Sequence, residues 1–153
     1  MQLEQINTAA AAAVTPAYMT GICAGTTIMT LNGETPVENL KAGDRIITRD
    51  SGMAILKDIS QTAAKVAPVR IKAGSLGHTR PDRDMLMAPG AAIHIRDWRA
   101  EALFGSTTAK VAAHKLVDGE YLATQAPRDM DLFELTFDRQ HIIYADGIEL
   151  IAG

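Results

Sequence analysis

The one cysteine of the chain, Cys23, is the residue best placed for covalent chemistry. A single thiol can neither form a disulfide within the chain nor supply a four-thiolate zinc site. It can be an inert part of the core, an intermolecular partner or a reactive nucleophile. Because Cys23 stands at the apparent start of the folded domain, the natural target of a reactive thiol there is the preceding peptide bond, between Ile22 and Cys23.

The residues ahead of Cys23 have the composition of an arm rather than of a packed domain. The alanine run at residues 9–13 favours a helix that Pro16 would end, and few large apolar side chains accompany it. We therefore interpret residues 1–22 as a flanking segment, helical or disordered, and residues 23–153 as the domain.

Beyond Ile22, short apolar stretches alternate with turn signals about every ten residues, which predicts an all-β sandwich or barrel. Asn32-Gly33 and Asp146-Gly147 are strong hairpin signals, because both residue types tolerate positive φ. The predicted strands are residues 27–31, 45–49, 55–59, 69–73, 85–87, 92–96, 133–137, 141–144 and 148–151.

Two short helical turns are predicted among these strands, at residues 36–40 and at residues 98–104. In the second turn, Trp98 and Phe104 are expected to pin the segment to the core.

Length and charge narrow the classes of function. A chain of 153 residues is one ordinary domain that can bury its own core. Its net charge of −3 argues against a general nucleic-acid or anionic-membrane binder. No apolar run approaches the ~20 residues of a membrane span. No Lys or Arg precedes Lys41, so the positive region of a secretory signal is missing. We expect a cytoplasmic protein, or one exported without a cleaved N-terminal signal.

Two segments carry a family resemblance. Residues 23–50 combine the cysteine with Gly25-Thr26, a Pro-Val-Glu run and Gly43-Asp44, and they resemble the opening block of Hint domains, the module shared by hedgehog C-terminal domains and inteins. Residues 132–150, with His141 and the Ala-Asp-Gly hairpin that follows it, are similar to the closing block. Residues 68–76 and 96–105 resemble the bacterial Hint branch without a homing endonuclease, which suggests a bacterial context.

The resemblance implies a fold and a reaction. The fold is all-β, compact and mostly antiparallel, with the two chain ends adjacent. In the reaction Cys23 attacks the carbonyl of Ile22, and an N-to-S acyl shift converts the amide to a thioester. The partners are the flanking segments of the same polypeptide, the nucleophile that takes the acyl group is unknown, and each domain would react once. No cofactor or metal is expected.

The resemblance also indicates residues that could assist Cys23. His141 matches the closing-block histidine, and imidazole transfers protons near neutral pH; the alternative is a histidine that only satisfies a turn. Asp138 could orient His141 or act as a base, or it could bond its own backbone. Thr26 could place a hydroxyl or amide near the Ile22 carbonyl, or it could simply cap a strand.

The sequence departs from the family pattern in the middle block. There Ala88 stands at the hydroxyl position and Ala91 at the histidine position, and neither can transfer a proton. His94 lies three residues beyond Ala91, which puts it on the opposite face of an extended strand. It could substitute only if the strand bulges.

The end of the chain also departs from the family pattern. Ile151 and Ala152 occupy the family's closing His-Asn positions, so self-splicing is not expected. Two functions stay open. One is an autoprocessing domain that cleaves itself without splicing. The other is a degenerate Hint-fold module with a structural or protein-interaction role in a larger protein. A cysteine hydrolase acting on other molecules would need a Cys-His-Asn signature, which is not apparent.

Overall fold

A computed structural model of the protein describes residues 19–77 and 79–153. The interpretation of the first 18 residues as an arm, and any role of His78, fall outside the described residues. Within them the chain is built almost entirely from antiparallel strands, which confirms the predicted all-β class.

The strands form three sheets, and short helices connect some of them. A seven-residue helix, α1, spans Trp98–Phe104, and 3-10 turns span Val37–Asn39 and Ala113–Leu116. The strands are β1 (Ile22–Cys23), β2 (Thr27–Thr30), β3 (Gly33–Pro36), β4 (Arg45–Thr48), β5 (Gly52–Ile55), β6 (Asp58–Val66), β7 (Val69–Ile71), β8 (Met85–Met87), β9 (Ala92–Ile95), β10 (Ala109–Ala112), β11 (Leu122–Thr124), β12 (Arg128–Thr136), β13 (His141–Ala145) and β14 (Ile148–Ala152).

The largest sheet has the order β10-β9-β14-β13-β2-β4-β5, with β3 added on β2. Its strands alternate buried and partly exposed residues, and the buried set includes Ile28, Ile93 and Ile143. This period of two follows from the alternation of side chains along a strand. The predicted hairpin at Asp146-Gly147 is confirmed, with φ of 48° and 90° between β13 and β14.

A second sheet has the order β1-β12-β6. It places β1, the first strand of the domain, beside the long antiparallel pair of β12 and β6. Ile22 lies opposite Phe133, and Cys23 lies opposite Leu132.

The strand predicted at residues 55–59 is wrong, because it straddles the connection between β5 and β6. β6 was missed since most of its side chains are exposed and it lacks an apolar alternation. A third sheet has the order β11-β7-β8.

The predicted helix at residues 98–104 is confirmed, but its expected anchors are not. Trp98 is 67% exposed and Phe104 is 44% exposed, while Ala100 and Arg99 are the buried residues. The Asp97 carboxylate accepts hydrogen bonds from the Arg99 backbone amide at 3.0 Å and from its guanidinium at 2.6 Å. The helix is therefore held by its N-terminal cap and by small side chains. In the described part of the chain, no helix has the length and apolar character needed to cross a membrane.

Candidate active site

Cys23 is buried in β1, and its thiol has no acidic or basic partner close enough to hydrogen-bond among the described residues. The residue is 2% exposed. Burial raises the pKa of the thiol to about 11, against a smaller opposing effect of the positive charge of Arg128. The thiol is therefore protonated at neutral pH. In the pairing of β1 with β12, Cys23 lies opposite Leu132.

The peptide bond between Ile22 and Cys23 borders a cavity of about 200 Å³. We call it the junction cavity, because the segment entering β1 meets the end of the chain there. It is lined by residues 20–22, by the loop at residues 90–92, by Phe133 and its two successors in β12, by Lys110 and Gln140, and by residues 150–153.

The loop before β9 closes one side of the junction cavity. The backbone amide of Gly90 donates to the Met19 carbonyl at 2.6 Å, which ties the loop to the segment ahead of β1. Ala88 and Ala91 are both buried, and Ala91 lines the cavity together with Ile22. The position that the resemblance assigns to a histidine thus adjoins the junction but carries only a methyl group.

His94 projects away from this cavity, as the strand geometry predicted. Its Nδ1 lies 2.8 Å from Oε1 of the buried Glu149, in a small enclosure that Arg80 also lines. Nothing in the described structure connects His94 with Cys23, and no bulge in β9 turns it back towards the junction.

His141 is held between two carboxylates. Its Nδ1 lies 3.0 Å from Asp50 Oδ2, and its Nε2 lies 3.2 Å from Asp138 Oδ1. The hydrogen bond from His141 lowers the pKa of Asp138. The pKa of Asp50 is also lowered. Partial burial favours its neutral form, but hydrogen bonds from the Ile142 amide and from His141 outweigh this effect. The structure thus joins His141 to Asp138, whereas Cys23 and His141 line different cavities.

Thr26 closes a turn directly after Cys23. Its backbone amide donates to the Cys23 carbonyl at 3.1 Å, and its carbonyl accepts from the Val37 amide at 2.8 Å. The residue is 4% exposed. These bonds match the strand-capping alternative, and they address the carbonyl of Cys23 rather than that of Ile22.

Sequence reasoning missed the polar groups of the junction cavity. Glu134 accepts a hydrogen bond from the Thr20 hydroxyl at 2.5 Å, and Lys110 donates to Gln140 Oε1 at 3.3 Å. Their proximity depends on the register of β1 against β12 and on the sheet order, which no local sequence signal reveals. In the described ranges, no three His, Cys, Asp or Glu residues are grouped so as to hold a metal ion.

Comparisons with known proteins show the family and the fold of the chain. The sequence model described as "Hint domain" matches residues 20–150. The structure is similar to a bacterial intein-like domain from Clostridium thermocellum, with a TM-score of 0.56, 16% identity and coverage of 88% of this chain and 99% of that one. It is also similar to a DnaB intein from Synechocystis, with a TM-score of 0.56, 13% identity and coverage of 87% and 98%. These likenesses show the fold. No curated protein sequence matches the chain.

Proposed function

Since the chain belongs to the Hint domain family, we propose that it is an autoprocessing domain that cleaves its own backbone at the bond between Ile22 and Cys23, without splicing. The observation that carries the proposal is the position of this bond. It lies in the first strand of the domain, beside a cavity bordered by the loop at residues 90–92 and by the chain end.

The proposed reaction begins with the thiol of Cys23. The sulfur bonds to the carbonyl carbon of Ile22, the carbon–nitrogen bond breaks, and the amide nitrogen of Cys23 takes up a proton. The product is a thioester, which an external nucleophile can cleave. Ile151 and Ala152 stand at the positions of the family's closing His-Asn pair and carry no group that can cyclise, so the proposed reaction does not include splicing.

Two features make the proposed reaction slow. The thiol must ionise, and a pKa of about 11 leaves roughly one molecule in 10⁴ as thiolate at pH 7. Ala91 also provides no acid for the departing nitrogen. The roles predicted for His141, Asp138, Thr26 and His94 stay predictions. Of these residues, His141 and Asp138 are the two that contact each other, with His141 Nε2 3.2 Å from Asp138 Oδ1.

Hydroxylamine or a small thiol is expected to split the chain into residues 1–22 and 23–153, because either reagent captures a thioester. Intact-mass spectrometry of the incubated full chain measures the two fragments. Cys23→Ala removes the nucleophile and should abolish the cleavage. A wild-type chain that stays intact under these conditions would instead support the non-catalytic module.

The cleavage rate is expected to rise about tenfold for each pH unit between pH 7 and pH 10. The reason is that the thiolate fraction grows in this proportion below a pKa of about 11. Initial rates with a constant concentration of hydroxylamine measure the profile. A rate that does not change with pH would mean that ionisation of Cys23 is not limiting.

A further inference from the structure

Three arginine side chains converge on the buried carboxylate of Glu149. Arg80 Nη1 donates to Oε2 at 2.8 Å, and Arg96 Nη2 lies 2.9 Å from the same oxygen. Arg49 Nε lies 3.7 Å from Oε1, which His94 Nδ1 also approaches to 2.8 Å. Both carboxylate oxygens are therefore engaged. We call Glu149 and these three arginines the arginine cluster.

The positive charge of the arginine cluster exceeds its negative charge. Three guanidiniums face one carboxylate, which leaves an excess of two positive charges. Among the described residues, Glu149 is the one acidic partner of Arg49, Arg80 and Arg96. Arginine stays protonated in proteins, so the excess cannot be removed by the loss of a proton. An anion from outside the chain is what can compensate it.

The cluster is held from inside and reached from outside. The side chain of Glu149 is 1% exposed, whereas those of Arg49 and Arg96 are 40% and 33% exposed. Each guanidinium has three nitrogens and five N–H donors, and only some of them are directed at Glu149. The remaining donors of the exposed side chains can bind a ligand. Because Glu149 already orients the guanidiniums, less side-chain entropy is lost when the ligand binds.

Tyr144 lies next to the arginine cluster. It pairs directly with Glu149 in the register of β13 and β14, and it interacts electrostatically with Arg96. Directly opposed residues project from the same face of a sheet, with Cβ atoms about 4.5–5.5 Å apart. Tyr144 is half-buried, so its hydroxyl adds a neutral donor and acceptor at the edge of the cluster.

We propose that the arginine cluster binds a phosphoryl group as a doubly charged anion. A phosphate monoester carries about −1.5 to −2 charges at pH 7 and three acceptor oxygens, which matches both the excess charge and the remaining donors. Guanidiniums bind phosphate oxygens through paired hydrogen bonds. A carboxylate would compensate only half of the excess. The proposal goes beyond the proposed function, because it needs no reaction at Cys23.

Titration of the full chain with inorganic phosphate and, separately, with glycerol 3-phosphate tests the site. Amide resonances in ¹H–¹⁵N NMR spectra, recorded at constant ionic strength, measure the binding. Saturable shifts are expected at Arg49, Arg80, Arg96 and Glu149. Binding of both probes identifies a phosphate monoester as the ligand, and binding of inorganic phosphate alone identifies the free ion. Acetate, with a single charge, should bind about tenfold more weakly than phosphate.

Arg49→Gln is expected to weaken phosphate binding by about ten- to hundredfold, the usual effect of losing a hydrogen bond to a charged group. Arg49 is the arginine with the longest distance to Glu149, so its replacement should disturb the fold least, and a thermal melt checks this. Arg45→Gln is the matched control. It removes the same charge from an exposed arginine at the start of β4, and it should bind phosphate like the wild type.

Three results would overturn the proposal. The first is a folded wild-type chain without saturable shifts at the arginine cluster. The second is binding that is weakened equally in Arg45→Gln and in Arg49→Gln, because the effect would then be one of overall charge. The third is acetate that binds as tightly as phosphate, since the cluster would then not select a doubly charged anion.

Discussion

Ala91→His is expected to accelerate cleavage between Ile22 and Cys23 by about 10²–10⁴-fold, the range typical of a positioned proton-transfer group. Ala91 lines the junction cavity together with Ile22, and the cavity of about 200 Å³ leaves room for an imidazole beside the scissile bond. There the imidazole could protonate the departing nitrogen of Cys23. Rates of hydroxylamine cleavage, measured by intact mass for both proteins at pH 7, give the ratio.

Ala102→His is the matched control, because it adds the same side chain to the exposed face of α1. Its cleavage rate should equal that of the wild type. Ala91 is 5% exposed, so a larger side chain there can cost about 1–3 kcal/mol of stability. A thermal melt therefore accompanies the rates. If a folded Ala91→His chain and the wild type both stay intact, the domain is a non-catalytic module.

The all-β class could be predicted because turn chemistry is local. The Asp146-Gly147 hairpin follows from two residues that tolerate positive φ, and β13 and β14 on either side of it appear where the alternation placed them. β6 could not be predicted in this way. It is held by pairing with β12 along nine residues, from Asp58 opposite Thr136 to Val66 opposite Arg128, while its own side chains mostly face solvent.

The helix α1 shows a second limit of prediction from the sequence. Large apolar side chains were expected to be its anchors, yet Trp98 and Phe104 are exposed and Ala100 is buried. A large apolar residue need not be buried, because much of the surface of any protein is apolar. The capping residue Asp97 and the αL Gly105 were the more reliable local signals, because they act on the backbone itself.

The candidate site depended on long-range register more than on motifs. The sequence identified Cys23 and the altered position Ala91, and the fold brings Ala91 to the cavity beside Ile22. The strand that pairs with β1 was not predictable, because a two-residue strand carries almost no periodicity. The contact of Glu134 with Thr20 depends on that pairing, and no local sequence pattern indicates it.

Glu149→Gln is expected to lower the free energy of unfolding by about 3–5 kcal/mol at pH 7, the usual cost of removing one partner from a buried ion pair. Glu149 is 2% exposed. It accepts hydrogen bonds from Arg80 at 2.8 Å and from Arg96 at 3.0 Å, and its Oε1 lies 2.8 Å from His94 Nδ1. Arg49 forms a longer ion pair with the same carboxylate, at 3.7 Å. Glutamine keeps the shape of the side chain but leaves these three guanidiniums without a countercharge. Urea denaturation of both proteins measures the loss.

The same substitution has a predictable dependence on pH. Burial opposes ionisation of Glu149, but hydrogen bonds from Arg96, His94 and Arg80 outweigh it and lower the pKa from 4.5 to about 2. A carboxylate whose pKa is lower in the folded state contributes stability that is present above pH 4.5 and lost as the pH falls towards 2. This shift corresponds to about 3 kcal/mol.

The stability difference between wild type and Glu149→Gln should therefore shrink by that amount between pH 5 and pH 2. Glu120→Gln, at an exposed position, should track the wild type throughout. If the difference for Glu149→Gln is the same at pH 2.5 and at pH 6, its cost arises from packing or from the lost hydrogen-bond geometry. In that case the charge of Glu149 does not stabilise the pairing of β9 with β14, which joins Leu150 to Ile93.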